Sequence, residues 1–212
     1  MHEDDRLALS ELGTSLIGDA LERLDSINGL TRYDGWGGCM VGPALTVKTR
    51  EGDNLALLRA IDLARPGDVL LVDGAGSSCR GIVGDLARAF AMSRGIVGFL
   101  IDGAIRDVAV FRTAEPFGCF ARGVSPNGPF KDGPGRINVP IAIGGQVVLP
   151  GDIVVADDDG AVSFASSRTR EVITLARDRL ASEDAIRAQI GSGAVEQSWL
   201  IAMMANSGTR IT

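Results

Sequence analysis

The sequence predicts an α/β protein: a layered β/β/α fold with extra helices at both ends. Three observations carry this reading. Residues 41–113 alternate strand-like and helix-like segments, which argues for a mainly parallel sheet with helices packed on it. Residues 136–164 turn into short strands punctuated by Gly144-Gly145, Pro150-Gly151-Asp152 and Asp157-Asp158-Asp159-Gly160, the signals of a hairpin-rich layer. Residues 167–190 carry one long amphipathic pattern.

The elements follow in order. Residues 4–26 read as two short helices, with Thr14 or Ser15 capping the second. Met40–Lys48 alternates as a strand. Leu55–Ala64 is an apolar-periodic helix for which Asp53 or Asn54 is the N-cap, and Arg65-Pro66-Gly67-Asp68 stops it. Val69–Val72 is a short buried strand and Asp73–Arg80 a Gly/Ser loop. A helix is expected over Ile82–Ser93, a strand over Gly95–Ile101, a turn at Asp102-Gly103 and a helix over Ile105–Thr113. Pro126–Gly135 reads as a Gly/Pro/Lys loop, and a last helical stretch as Val195–Ala205. The C-terminal helices are poorly placed for one small core and are expected to pack on a neighbouring subunit.

Composition narrows the chemistry. The chain has 212 residues, 45% of them hydrophobic, ample to offset chain entropy and far from a disordered composition. Apolar runs such as Ile96–Ile101 fall well short of the ~20 residues a membrane span needs. A net charge of −6 without a basic patch disfavours nucleic acid as a partner. The acidic start Met1-His2-Glu3-Asp4-Asp5-Arg6 does not read as a secretory signal, and three cysteines without a CxxC do not make a disulfide framework, so a cytoplasmic location is expected. Histidine occurs once, at His2. That excludes a Ser-His-Asp triad, an HExxH zinc site and a histidine base inside the domain. The remaining means are carboxylates, Arg, Lys, backbone amides, water or a hard metal ion.

The chemistry-bearing stretches are Gly81-Ile82-Val83-Gly84-Asp85-Leu86-Ala87 and Asp102-Gly103-Ala104-Ile105-Arg106-Asp107. Gly84 and Asp85 fall at the start of a helix, where free N–H groups and the helix dipole favour an anion. Arg106 and Asp107 follow the next strand, and neighbouring parallel strands deliver their C-terminal loops to one edge. Asp85, Arg106 and Asp107 can therefore converge. Two readings stay open: an Arg-carboxylate brace between a helix start and a turn, or a hard cation held by Asp107 with Asp85 as second ligand or water holder and Arg106 facing substrate. Lys131 and Arg136 can meet a substrate carboxylate or be solvated loop charges. Asp53 and Asn54 read as caps rather than ligands, and the Asp157–Gly160 run as an acidic turn. Cys79 has no His partner, and Gly74, Gly76 and Gly81 lack the lysine of a P-loop.

The order Gly84-Asp85-Leu86 then Asp102-Gly103-Ala104-Ile105-Arg106-Asp107 resembles the RraA-like family, whose catalytic branch comprises class II pyruvate aldolases acting on 4-hydroxy-4-methyl-2-oxoglutarate and 4-carboxy-4-hydroxy-2-oxoadipate. That branch carries an Asp, twenty residues, then Arg-Asp, as Asp85 and Arg106-Asp107 do here. The likeness runs from about Leu16 to Ala165 and takes in Pro66-Gly67-Asp68-Val69, Phe120-Ala121-Arg122-Gly123, Lys131-Asp132-Gly133-Pro134-Gly135 and Pro150-Gly151-Asp152-Ile153-Val154. It implies a β/β/α swivelling fold over residues 1–166, with helices of 167–212 against a neighbouring subunit in a homotrimer or hexamer. It implies Asp107 as ligand of Mg²⁺ or Mn²⁺ and Asp85 as holder of metal-bound water. The amides of Gly84, Asp85, Leu86 and Ala87 would take a pyruvyl carboxylate, and Arg106 the keto or enolate oxygen. Glu183 or Asp184 from the neighbouring subunit would complete the site. The implied reaction is retro-aldol cleavage of a 4-hydroxy-2-oxo acid, with oxaloacetate decarboxylation as companion. The alternative within the family is a non-catalytic regulator of ribonuclease E. A methyltransferase is rejected, because no adenosylmethionine-binding glycine motif follows the first strand.

Overall fold

The computed structural model describes residues 1–193 and, beyond them, residues 197, 200, 203 and 204; most of the helical stretch expected at 195–205 lies outside the described residues. The chain begins with helix α1 (Glu3–Ala20) and the short strands β1 (Ser26–Ile27) and β2 (Thr31–Arg32). Strand β3 (Met40–Thr49), helix α2 (Leu55–Leu63), strand β4 (Val69–Val83), helix α3 (Asp85–Ser93), strand β5 (Gly98–Ile105) and strand β6 (Gly118–Val124) form the α/β half. Strands β7 (Gly135–Ile137), β8 (Ile141–Ile143), β9 (Gln146–Val148), β10 (Ile153–Asp157) and β11 (Gly160–Phe164) follow, and helix α4 (Thr169–Gly191) comes last.

Strands β3, β4, β5 and β6 pair in parallel, as the alternation of strands and helices predicts. The sheet order is β1-β11-β10-β3-β4-β5-β6-β2, with antiparallel strands at both flanks and β7 beside the end of β3. Strand alternation sorts the side chains. Leu70, Val72, Phe99 and Ile101 face α2 and α3, while Val69, Leu71, Leu100 and Phe120 face the β8–β9 hairpin and β10. A third core joins Leu9, Leu12 and Ile17 of α1 to Val155, Val162 and Phe164 of the sheet and to Val172, Ile173 and Ala176 of α4. The first half of α4 is thus anchored in its own chain. Ile186 and Ile190 on its second half are exposed. Among the described residues no helix is long and apolar enough to cross a membrane.

Gly13 breaks α1 into two helical segments with φ 73° and ψ 170°, a backbone state that suits glycine. The cap of the second segment is not a local one. The Thr14 amide donates to Asp157 Oδ2 at 2.8 Å, the Thr14 hydroxyl donates to the same carboxylate, and the Ser15 hydroxyl donates to Asp159 at 2.6 Å. The acidic run 157–160 is the tight turn between β10 and β11, and it docks on this helix end.

Four boundaries differ from the sequence reading. The Gly/Ser segment 73–80 belongs to β4, which bulges repeatedly: Asp73, Ser77, Gly81 and Val83 face the consecutive residues Asp102, Gly103, Ala104 and Ile105. Ile82 and Val83 therefore end this strand, and α3 starts only at Asp85. Asp102-Gly103 is not a turn. It lies inside β5, paired with Asp73 and Ser77 of β4 while the register to β6 shifts past it, and this pairing overrides local turn preference. The helix expected over Ile105–Thr113 shrinks to a single 3-10 turn at Val108–Val110, because Asp107 enters the left-handed region (φ 54°, ψ 41°) and breaks the helical path.

Candidate active site

The site grows from two adjacent strand ends. Gly84 caps α3 directly after β4, and Arg106-Asp107 leave β5 alongside it, tied by the Arg106 amide donating to the Val83 carbonyl at 2.9 Å. The left-handed turn at Asp107, a conformation Asp tolerates better than most residues, aims its carboxylate at the start of α3. The Asp85 amide donates to Asp107 Oδ2 at 3.1 Å, and Arg106 Nε stands 3.4 Å from the same oxygen. Arg106 and Asp107 are thus brought together, both partly exposed, at the N-terminus of α3. By helix geometry the Leu86 and Ala87 amides have no carbonyl one turn below.

Three glycines make the trough in which Arg106 lies. A Cβ at Gly81 would stand 2.8 Å from Arg106 Cβ, one at Gly84 2.8 Å from its Cγ, and one at Gly128 2.9 Å from its Nη1. A cleft of about 250 Å³ opens beside the guanidinium, bordered by Asn54, Leu58, Leu86, Arg106, Pro129 and Lys131. Of the two loop cations expected near substrate, only Lys131 borders this cleft. Arg136 lines a separate groove with Lys48 and Arg50.

Asp53 fixes the far wall. It is fully buried, and its carboxylate accepts the Leu55 amide at 2.9 Å and the Asp132 and Gly133 amides at 2.8 Å each, with Arg50 at 3.1 Å. Burial works to raise its pKa, but the three amides and Arg50 outweigh it and hold the carboxyl below its usual range. Asp53 is therefore the side-chain cap of α2 and at once the clamp on the loop that carries Lys131. Asn54 does not cap: its Nδ2 donates to the Ile82 carbonyl at 3.0 Å. From the other side of the loop Arg80 donates to the Gly128 carbonyl at 2.8 Å and stacks 3.9 Å from the centre of the Phe130 ring.

The other expectations separate. Asp85 is exposed at the mouth of the site. Glu183 and Asp184 are each 2.7 Å from Arg187 on the exposed half of α4, and Glu183 borders a different cavity with Thr14 and Asp19. Within one chain neither reaches Arg106. Cys79 is exposed beside Arg50, Arg80 and Phe130, outside the Arg106 cleft. Among the described residues no three His, Cys, Asp or Glu side chains gather to form a metal cage. The partly exposed carboxylate of Asp107 with the exposed Asp85 nevertheless fits a hard divalent cation that keeps most of its water, since Mg²⁺ takes only one or two protein carboxylates. The arrangement places a guanidinium and helix-end amides around one small cleft. Sequence reasoning passed over Gly128 and the Arg80–Phe130 stack, whose only trace is a glycine and an aromatic in a loop.

The mixed α/β sheet thus delivers an Arg-Asp pair from the end of β5 to the side of a small cleft. The RraA-like family model, described as Aldolase/RraA, matches residues 14–163, and the chain belongs to that family. A Halalkalibacterium halodurans protein named "Putative 4-hydroxy-4-methyl-2-oxoglutarate aldolase" is 38% identical over 172 residues, 81% of each chain. An uncharacterised Pseudomonas syringae protein of solved structure has a TM-score of 0.81 at 28% identity, covering 91% of each chain. Streptomyces coelicolor RraAS2, described as an unusual member of the RNase ES inhibitor RraA family, has a TM-score of 0.77 at 31% identity, covering 88% of this chain and 97% of its own.

Proposed function

We propose that the chain is a divalent-metal-dependent carbon-carbon lyase that cleaves 4-hydroxy-2-oxo acids of the 4-hydroxy-4-methyl-2-oxoglutarate type to pyruvate, with oxaloacetate decarboxylation as a companion activity. The observation that carries the reading is the joining of Arg106 and Asp107 to the α3 N-terminus beside a cleft bordered by the second cation, Lys131. Mg²⁺ or Mn²⁺ held by Asp107, with Asp85 ordering its water, would act as a Lewis acid toward the 2-oxo acid.

The chain's own residues do the rest. The free amides of Leu86 and Ala87 bind the pyruvyl carboxylate at the positive end of α3. Arg106 faces the keto oxygen. Cleavage moves the C3–C4 electron pair onto C3 as pyruvate enolate while the C4 hydroxyl becomes a carbonyl and its proton passes to water. Arg106 stabilises the oxygen on which negative charge develops, an interaction strongest in the transition state. Lys131 binds the distal carboxylate of a diacid substrate. Asp85 orders the water that receives the proton. We assign the exposed second half of α4 to contact with a neighbouring copy in a trimer or hexamer, bringing Glu183 toward that copy's cleft.

The assay is pyruvate release from oxaloacetate and from 4-hydroxy-4-methyl-2-oxoglutarate by protein stripped with EDTA, before and after Mg²⁺ or Mn²⁺. Metal-restored release from both is expected. Release that survives stripping, or none with any divalent ion, refutes the proposal. The likeness to RraAS2 supports a second reading, a protein regulator of an RNase E-type nuclease. Inhibition of such a nuclease at micromolar protein, without lyase activity, would establish it instead.

A further inference from the structure

The border of the Arg106 cleft is simple in charge. Of the described residues that form it, only Arg106 and Lys131 ionise, and no acid is among them. The nearby cations are engaged elsewhere. Arg80 donates to the Gly128 carbonyl and stacks on the Phe130 ring, Arg50 bonds Asp53, and Arg136 lines its separate groove. Much of the remaining wall is apolar, and three different elements supply it: Leu58 from α2, Leu86 from α3 and Pro129 from the loop that carries Lys131. Leu58 is partly buried against the core beneath α2 and α3. Leu86 is 72% exposed, so a group seated in the cleft can cover it.

We infer that this wall receives an uncharged branch at C4 of the substrate, so that the site selects dicarboxylic 4-hydroxy-2-oxo acids with an apolar C4 substituent over tricarboxylic ones. The inference rests on the lyase reading above. In that reading the pyruvyl carboxylate lies on the α3 amides, the keto oxygen faces Arg106 and the distal carboxylate meets Lys131. A third carboxylate finds no further cation on the border. Set against Leu58, Leu86 and Pro129, it would give up water without gaining a partner. A methyl group does the reverse: it covers leucine surface and desolvates nothing polar. Leu86 is the specificity-determining side chain of the three that can be exchanged at least cost to the fold, because it is the exposed one.

The experiment compares kcat/KM for 4-hydroxy-4-methyl-2-oxoglutarate and for 4-carboxy-4-hydroxy-2-oxoadipate, which carries a carboxymethyl group where the first carries methyl. It uses wild type, Leu86→Arg and the uncharged Leu86→Gln, with melting temperature as the check on folding. Wild type should favour the methyl substrate by about 10-fold or more, the lower end of what an apolar wall discriminates. Leu86→Arg should shift that ratio toward the tricarboxylate by about 10-fold, and by more than Leu86→Gln does. Because the ratio is compared between variants, the intrinsic reactivities of the two substrates cancel. Equal cleavage of both by wild type, or a ratio that Leu86→Arg moves no further than Leu86→Gln, overturns the inference while leaving the lyase reading intact. A wild type inactive on both substrates overturns that reading first, and the inference with it.

Discussion

The Asp85 amide donates to the Asp107 carboxylate at 3.1 Å, so the positive end of α3 holds an acid supplied by the next strand. The same carboxylate oxygen stands 3.4 Å from Arg106 Nε. Of the two readings drawn from sequence, the brace is present: Arg106, Asp107 and the start of α3 are joined. Asp107→Ala should lower kcat/KM for pyruvate release by 10²-fold or more, as should Arg106→Ala, on the scale of losing one preorganised charge-stabilising group. Steady-state kinetics at saturating Mg²⁺ checks both, and near-wild-type rates would remove them from the mechanism.

Gly84 has no room for a side chain. A Cβ there would overlap Asp107 Oδ2 and crowd Arg106 Cγ at 2.8 Å. Its φ is −157°, ordinary extended backbone, so the obstacle is contact and not strain. Gly84→Ala should cost about 10²-fold in kcat/KM, the scale of a displacement near 1 Å in an active site, with a melting temperature close to wild type.

Asp53 predicts a pH dependence of stability. Folding lowers its pKa, so its contribution is complete above the ordinary carboxylate value of about 3.9 and is lost as the pH falls through the depressed native value. Asp53→Ala leaves three amides without their acceptor and should destabilise by roughly 3 kcal/mol at pH 7. Chemical denaturation at pH 7 and at pH 3 should show the difference between wild type and variant shrinking at the lower pH.

Asp102 and Arg122 face each other on adjacent strands β5 and β6, and Arg122 also donates to the Gly29 carbonyl. The Asp102 side chain is 11% exposed. Arg122→Ala would leave that carboxylate buried and unpaired, with an expected loss of about 3 kcal/mol. Adding Asp102→Asn should recover part of it, which a double-mutant cycle measures.

The three thiols should divide. Cys79 is exposed. Burial, with the nearby Asp157 carboxylate, pushes Cys39 up to about 11, and burial raises Cys119 well above the usual thiol range. Ellman's reagent at pH 8 should titrate one thiol quickly in the native protein and all three in denaturant. Three fast native thiols would contradict the fold.

What the sequence revealed and what it hid follow from the range of the forces involved. Met40–Thr49 and the helix after Asn54 carry their periodicity in their own residues, and both are where they were expected. Asp102-Gly103 reads locally as a turn because its strand character comes from distant pairing with the bulged β4. Strand β6 went unassigned for a related reason: Gly118 and Gly123 dilute its pattern, and only pairing with β5 and β2 completes it. Arg106 and Asp107 were legible because adjacent parallel strands must end at one edge. Asn54 was read as a cap because its type and position fit one. Only the coordinates show that Asp53 took that duty and left the Asn54 amide pointing elsewhere.

Strand β4 runs from Asp73 to Val83 while β5 advances only from Asp102 to Ile105. The surplus backbone swells outward between two firmly paired ends, each secured by its own neighbour. Ser77 and Gly81 tie it back to Gly103 and Ala104, so the arcs between these anchors are where residues can change without shifting Gly84 or Arg106. Variation on this scaffold should therefore concentrate at exposed positions such as Ala75 and Ser78, beside the Arg106-Asp107 pair rather than within it.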